Sequence, residues 1–203
     1  MQRERKKRET RERISDVATK LFVARGFEAV TLDEIAAAAK VSKMTVLNYF
    51  ARKEELMLDR EDELLLLPFR EALRTRPRGQ SPVAALRKLV ASLHAQNDSF
   101  ARIHPRSVSW WRVVAASPSL KARLHELEDE AADGLAAELG GAKPDALARL
   151  AAAMIVLTVH TARAEAFGAL ARGGSAKKAT AVFLALLDRG FTAVDALATR
   201  SDS

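Results

Sequence analysis

The stretch 31–56, TLDEIAAAAKVSKMTVLNYFARKEEL, decides the reading of this chain. Thr31 is followed three residues on by Glu34, the spacing of a capping box in which each side chain satisfies an orphan backbone N–H at a helix start. Leu32, Ile35, Ala36 and Ala39 then recur at i, i+3, i+4 and i+7, one apolar stripe facing a core. After a short junction at Lys40, Ser42 can accept the first free N–H groups of a second helix over 43–50. Val46 and Phe50 lie one turn apart and face inward, leaving Lys43, Met44, Leu47 and Asn48 pointing out. Two short helices joined by a tight turn, with a third opening at Lys53, form the layout of a helix-turn-helix DNA reader.

Upstream, Ile14, Val17, Ala18, Leu21 and Phe22 form the stripe of a further amphipathic helix, stopped at Arg25-Gly26-Phe27 with Gly26 as a left-handed cap. Charge placement agrees with a nucleic-acid partner. The chain carries 33 Lys and Arg against 26 Asp and Glu, a net +7. Residues 1–53 hold 13 basic and 7 acidic side chains, which leaves 20 and 19 for the rest. Nearly all the excess therefore sits with the motif, as expected of a reader that draws affinity from neutralised phosphates. The arm 1–9, MQRERKKRE, has no periodic apolar face and reads either as a solvated, disordered tail or as a minor-groove arm.

The ordered set Thr31, Ile35-Ala36, Val41-Ser42, Thr45-Val46, Tyr49-Phe50, Lys53-Glu54 and Leu56 resembles the N-terminal motif of the tetracycline-repressor (TetR) family. With the preceding helix the resemblance covers about residues 10–56, roughly a quarter of the chain. It implies an N-terminal DNA-binding domain, 1–56, and a helical effector-binding and dimerisation domain, 57–203. It also implies that Thr45, Tyr49 and Lys53 contact the phosphate backbone, and their hydroxyl, phenol and ammonium suit that task. The DNA-facing set becomes Thr31, Lys43, Met44, Thr45, Leu47, Asn48, Tyr49 and Lys53. One position departs: members commonly have Tyr where this chain has Leu47, which cannot donate to a phosphate but can touch a thymine methyl.

From Lys53 onward the pattern is helical throughout. Residues 53–67 read as one helix that Pro68 kinks or ends. Pro77-Arg78-Gly79-Gln80-Ser81-Pro82 is the clearest loop, with Ser81 and Pro82 opening the next helix. His104-Pro105 breaks the chain again, Ser117-Pro118 caps a long helix stopped by Gly140-Gly141, and two long helices follow over 144–172 and 176–198. The fold class is all-α, with about nine helices.

The last two helices are apolar over more than one face, so each is covered on two sides. The second cover is the same subunit or a partner, and the resemblance implies a partner: a homodimer through Leu157, Thr161, Ala164, Gly168, Phe183, Leu187, Gly190 and Val194. Phe100, Trp110, Trp111, Met154, His160, Arg163 and Phe167 lie on helices that surround an effector cavity in the family. Aromatic walls with few polar groups suit a small, largely apolar ligand, and they equally suit ordinary core.

No catalytic constellation emerges. The four histidines form no H-x-x-x-H pair, there is no Gly-rich phosphate loop, and with no Cys there is neither a disulfide framework nor a thiolate metal site. Neither a cofactor nor a metal is expected, and the cysteine-free composition fits a reducing cytoplasm. No uninterrupted apolar run reaches about 18 residues, so no membrane segment is expected. The leading expectation is a ligand-responsive repressor that binds a palindromic operator as a homodimer. A small helical enzyme with a basic localisation domain, and a ligand-independent architectural DNA binder, are the alternatives.

Overall fold

The computed structural model describes residues 2–59 and 64–199. These form nine α-helices, one 3-10 turn and no strand: α1 Gln2–Arg25, α2 Leu32–Ala38, α3 Lys43–Tyr49, the 3-10 turn Lys53–Leu56, α4 Leu67–Arg74, α5 Pro82–Ala95, α6 Arg106–Ala116, α7 Pro118–Gly140, α8 Ala146–Ala171 and α9 Ala176–Thr199. They divide into two compact units, Met1–Glu61 with Ser109–Leu124, and Asp62–Val108 with His125–Ser203. The division differs from the expected 1–56 and 57–203 because a later segment returns to the first unit. The Trp110 indole N–H donates to the Met57 carbonyl at 2.9 Å, and the Ser117 hydroxyl donates to the Glu28 carboxylate at 2.6 Å.

In the first unit the α1 stripe is buried at Ile14, Ala18 and Phe22. Gly26 adopts φ +85°, a region open to glycine at no steric cost, and its N–H closes on the Phe22 carbonyl at 2.8 Å. The basic arm is not irregular as the composition suggests, since α1 is continuous from Gln2. Arg5 faces Glu9 at 3.4 Å and Arg8 faces Glu12 at 3.6 Å, four-residue spacings that support a helix and place cations along its solvent side. The Thr31–Glu34 capping box forms with both of its hydrogen bonds. The tight turn passes through Lys40 at φ +55°, and Ser42 accepts the Thr45 N–H at 3.0 Å to open α3.

Among the described residues, the expected single helix over 53–67 is interrupted. Lys53–Leu56 forms a 3-10 turn, and 57–59 leave the helix. Leu66 takes a left-handed conformation, φ 51°, and Pro68 sits in the first turn of α4. Pro68 thus opens a helix instead of ending one, because a first-turn residue has no intrahelical N–H partner to lose.

In the second unit α8 and α9 pack along their length. Ala152, Ile155, Val159, Ala162 and Ala166 of α8 are buried, as are Phe183, Leu187, Phe191 and Val194 of α9. By length and hydropathy α8 would suffice for a bilayer span, yet this buried row belongs to the unit's own core. The closest approach is at Gly190, where a Cβ would come within 2.8 Å of Thr158 Cβ and inside the envelope of its Cγ2 and Oγ1. Part of the expected dimer face is thereby corrected. Phe183, Leu187 and Val194 are spent on the core of their own subunit, and Gly190 is small because α8 is its neighbour. The other part of that face remains outward, with Leu157 64% exposed and Thr161 exposed; Leu150, outside the expected set but in the same row, is 47% exposed. Gly168 shares the row, with only the flexible end of Arg172 near a would-be Cβ, at 3.1 Å.

Gly190→Ala should therefore cost about 1–3 kcal/mol of stability despite alanine's higher helix propensity, because Thr158 is β-branched and cannot turn away. Gly168→Ala should be neutral or mildly stabilising. Chemical denaturation of the two variants checks the pair, and Thr158→Ala added to Gly190→Ala should recover part of the loss.

Candidate nucleic-acid interface

The outward face of α3 is the candidate site, and its position depends on what lies beneath it. Val46 is fully buried and Phe50 is 1% exposed. The Arg11 guanidinium of α1 lies 4.4 Å over the Phe50 ring, donates to the Tyr49 carbonyl at 2.6 Å, and pairs with Asp59 at 2.6 Å. One cation thus holds the C-terminal end of α3, where the helix leaves carbonyls unpaired and favours positive charge. Burial pushes the Asp59 carboxyl above its usual range, against the opposing pull of Arg11. Sequence reasoning missed Arg11, although it continues the α1 stripe three residues before Ile14.

Met44 is 65% exposed, Leu47 is 40% exposed, and Asn48 is exposed with no hydrogen-bond partner among the described residues. Lys43 also points out, but its ammonium is held by Asp33 at 2.8 Å. Thr45 shares its hydroxyl with Ser42 at 2.8 Å, and Tyr49 is half-buried beside it. The Thr31 hydroxyl is engaged by Glu34, whose carboxyl is drawn down to about 2 by the Thr31 backbone N–H, the Arg25 guanidinium and the Thr31 hydroxyl. Thr31 is accordingly a cap first, with its exposed edge alongside the reader.

Lys53 is placed differently from the other expected phosphate contacts. Its ammonium donates to the Phe27 carbonyl at 2.7 Å and lies 4.4 Å over the Phe27 ring and 5.7 Å from that of Phe22. It therefore ties the 3-10 turn to the turn after α1. The same turn is gripped through Glu28, which accepts from Ser117 at 2.6 Å and from Ser119 at 3.1 Å. The Ser117 hydroxyl holds the Glu28 carboxyl below its usual range, burial opposes, and Ser119 and the Lys53 charge reinforce the lowering. No sequence pattern marked this lock, because its partners lie some ninety residues apart.

Comparison with known proteins agrees with this geometry. Residues 14–59 match the family described as bacterial regulatory proteins, tetR family. The likeness to this family lies in the N-terminal helix-turn-helix segment. It is 39% identical over 87 residues to the HTH-type transcriptional regulator TcmR of Streptomyces glaucescens, covering 41% of this chain and 37% of TcmR. It is 33% identical over 81 residues to the HTH-type regulator YuxN of Bacillus subtilis, covering 40% of this chain and 28% of YuxN. The chain thus matches well under half the length of these relatives. The fold extends further. SmeT of Stenotrophomonas maltophilia, solved in complex with triclosan, superposes with a TM-score of 0.58 at 22% identity, over 91% of this chain and 90% of SmeT.

The residues expected to hold an effector are not gathered in one unit. Trp110 and Trp111 stack on each other in the first unit, ring centroids 6.2 Å apart, with Trp110 bound to Met57. The rest lie in the second unit. Phe100 is buried between Phe69, at 5.1 Å, and Phe183, at 6.1 Å, with the Arg163 guanidinium 4.6 Å over its face. Phe167 is 8% exposed and Met154 is half-buried. His160 is bonded through Nδ1 to Glu128 of α7, which His125 also approaches at 3.0 Å. A cleft of about 210 Å³ in this unit is lined by Val83, Leu139, Leu147, Ala151, Val194 and Asp195 among others, and none of the expected effector residues lines it.

Two outcomes are expected. Lys53→Met should lower thermal stability by about 1–3 kcal/mol, since it leaves the Phe27 carbonyl without its charged donor; a melt at fixed salt reads this without any DNA. The second concerns pH. The Glu128 hydrogen bond raises the His160 pKa above its ordinary 6.5, with burial opposing. Burial works against the Glu128 charge, but His160 and His125 outweigh it and hold that carboxyl below its usual range. The His160 contribution is complete below the unfolded histidine value and lost as pH rises through the raised one. That of Glu128 is complete above the unfolded carboxyl value and lost as pH falls through the lowered one. His160→Gln should thus destabilise most in mildly acidic solution, with the gap to wild type narrowing on the alkaline side in denaturant titrations across pH.

Proposed function

We propose that this chain is a ligand-responsive transcriptional repressor. Two copies pair, each lays α3 in a major groove of a palindromic operator, and a small, largely apolar effector held in the second unit releases the DNA. The observation that carries the reading is the outward face of α3: Met44, Leu47 and Asn48 stand clear of the protein on a basic module in which Lys43, Thr45 and Lys53 are already engaged. A protein that did not use this surface would gain by making it polar.

Pairing is supported by the row Leu150, Leu157 and Thr161 on α8, apolar or small and left in water by the subunit's own packing. Large apolar side chains at helical spacing with no cover favour a partner surface, and a two-fold pair would use the same row from both copies. Two-fold symmetry in turn favours half-sites about 34–36 Å apart. An effector is supported by the likeness of fold to SmeT, which is seen with triclosan, and by the aromatic second unit around Phe100 and Arg163. Phosphate contacts fall to Thr45 and Tyr49, and Lys53 acts mainly by holding the turn. The protein works in the cytoplasm, where its DNA is.

Leu157→Arg tests the reading in one variant. It should change a dimer into a monomer in sedimentation at micromolar concentration, with the melting profile of the subunit kept. Selection from a pool of random duplexes should return a palindrome with the wild type, and the variant should bind that palindrome at least about tenfold more weakly, having lost its second half-site. A wild type that sediments as a monomer, or selects no palindrome, would overturn it.

A further inference from the structure

We infer that α3 reads A·T pairs at the centre of each half-site, with Leu47 and Met44 seated on thymine methyl groups and Asn48 on an adenine edge. The inference rests on the DNA-binding reading above and names the sequence class that reading leaves open.

Met44, Leu47 and Asn48 stand at i, i+3 and i+4 and so share one face of α3. They offer two apolar tips, 65% and 40% exposed, and one amide without a partner among the described residues. Guanine is commonly read by a bidentate Arg or Lys on its N7 and O6. The helix KMTVLNY contains no Arg, and its one Lys is paired with Asp33 at 2.8 Å. An A·T pair, by contrast, presents in the major groove what the free groups can use. The thymine C5 methyl takes an apolar side chain, and the adenine N6 and N7 pair with the two ends of an Asn amide. The two features lie on opposite strands of one base pair, so Leu47 and Asn48, adjacent on the helix, can serve the same pair or successive ones. A cytosine facing Leu47 would bury its N4 amino group without an acceptor, which disfavours G·C there.

Exposure also separates these side chains from those committed elsewhere. Val46 and Phe50 are spent on the core, and Thr45 is engaged with Ser42. Of the outward side chains of α3, only Lys43 is left beside them, and its ammonium is paired with Asp33. A tyrosine at position 47 would carry a hydroxyl to the backbone; leucine has no polar atom and gains only by losing water. Seating one methyl group against it is worth about fourfold in affinity.

The test uses the full-length protein and the operator that it selects from random duplexes. Each thymine is replaced in turn by uracil, which keeps every hydrogen bond and removes only the methyl group. At one or two positions in each half-site, uracil should weaken binding about fourfold, and at the others it should have no effect. Leu47→Ala and Met44→Ala, confirmed folded by their melting curves, should bind the thymine operator more weakly and lose the uracil effect at one position each. Asn48→Ala should keep the uracil effect and lose its preference for adenine over guanine. A selected operator whose affinity stays within twofold for every uracil replacement, or whose central pairs are G·C, would overturn the inference while leaving DNA binding intact. A protein that selects no sequence at all would overturn both.

Discussion

Arg11 joins three things that must stay in register: the body of α1, the end of α3 and the chain leaving the 3-10 turn. Its guanidinium stacks on Phe50, donates to the Tyr49 carbonyl and pairs with Asp59. A seven-residue helix such as α3 is too short to be stable alone, so its geometry is imposed by tertiary packing. Val46 and Phe50 supply the apolar anchor and Arg11 supplies the direction. Without that cation the buried end of α3 would keep an unpaired carbonyl, and the outward face would lose its fixed orientation.

A second lock works within the same unit. Lys53 and the Ser117–Ser119 hydroxyls converge on the turn that follows α1, one through the Phe27 carbonyl and the others through Glu28. A lysine that reads as a phosphate contact in the sequence is in the structure a strut beneath the reader. The two roles differ in what they predict: a strut is felt in stability without DNA, a phosphate contact only in its presence. The segment that brings Ser117 also brings Trp110, which explains why a stretch of the middle helices packs with the N-terminal unit.

The second unit shows how one helix divides its surface. The inner row of α8 closes on α9 so tightly that position 190 has no room for a side chain, and the outer row is left with Leu150 and Leu157 in water. Apolarity on two faces was visible in the sequence, but its assignment to faces was not. Phe183, Leu187 and Val194 have the same hydropathy whether they meet their own α8 or a partner's, and only the packing distinguishes them.

Local chemistry was therefore legible from the sequence alone. The capping box at Thr31–Glu34, the Ser42, Ser81 and Ser117 caps and the Gly26 stop act within a few residues, and all appear where the sequence places them. So do the all-α class, the helix-turn-helix and the outward face of α3, because period and caps are properties of neighbouring residues. What acts over long separations was decided by the tertiary structure: Arg11 on Tyr49, Ser117 on Glu28, Trp110 on Met57 and Gly190 against Thr158. Pro68 belongs with these. Proline both ends helices and begins them, and the left-handed turn at Leu66 selects the second outcome. Such contacts join residues that share no sequence window, so no periodicity or spacing encodes them, and they exist only once the chain has folded.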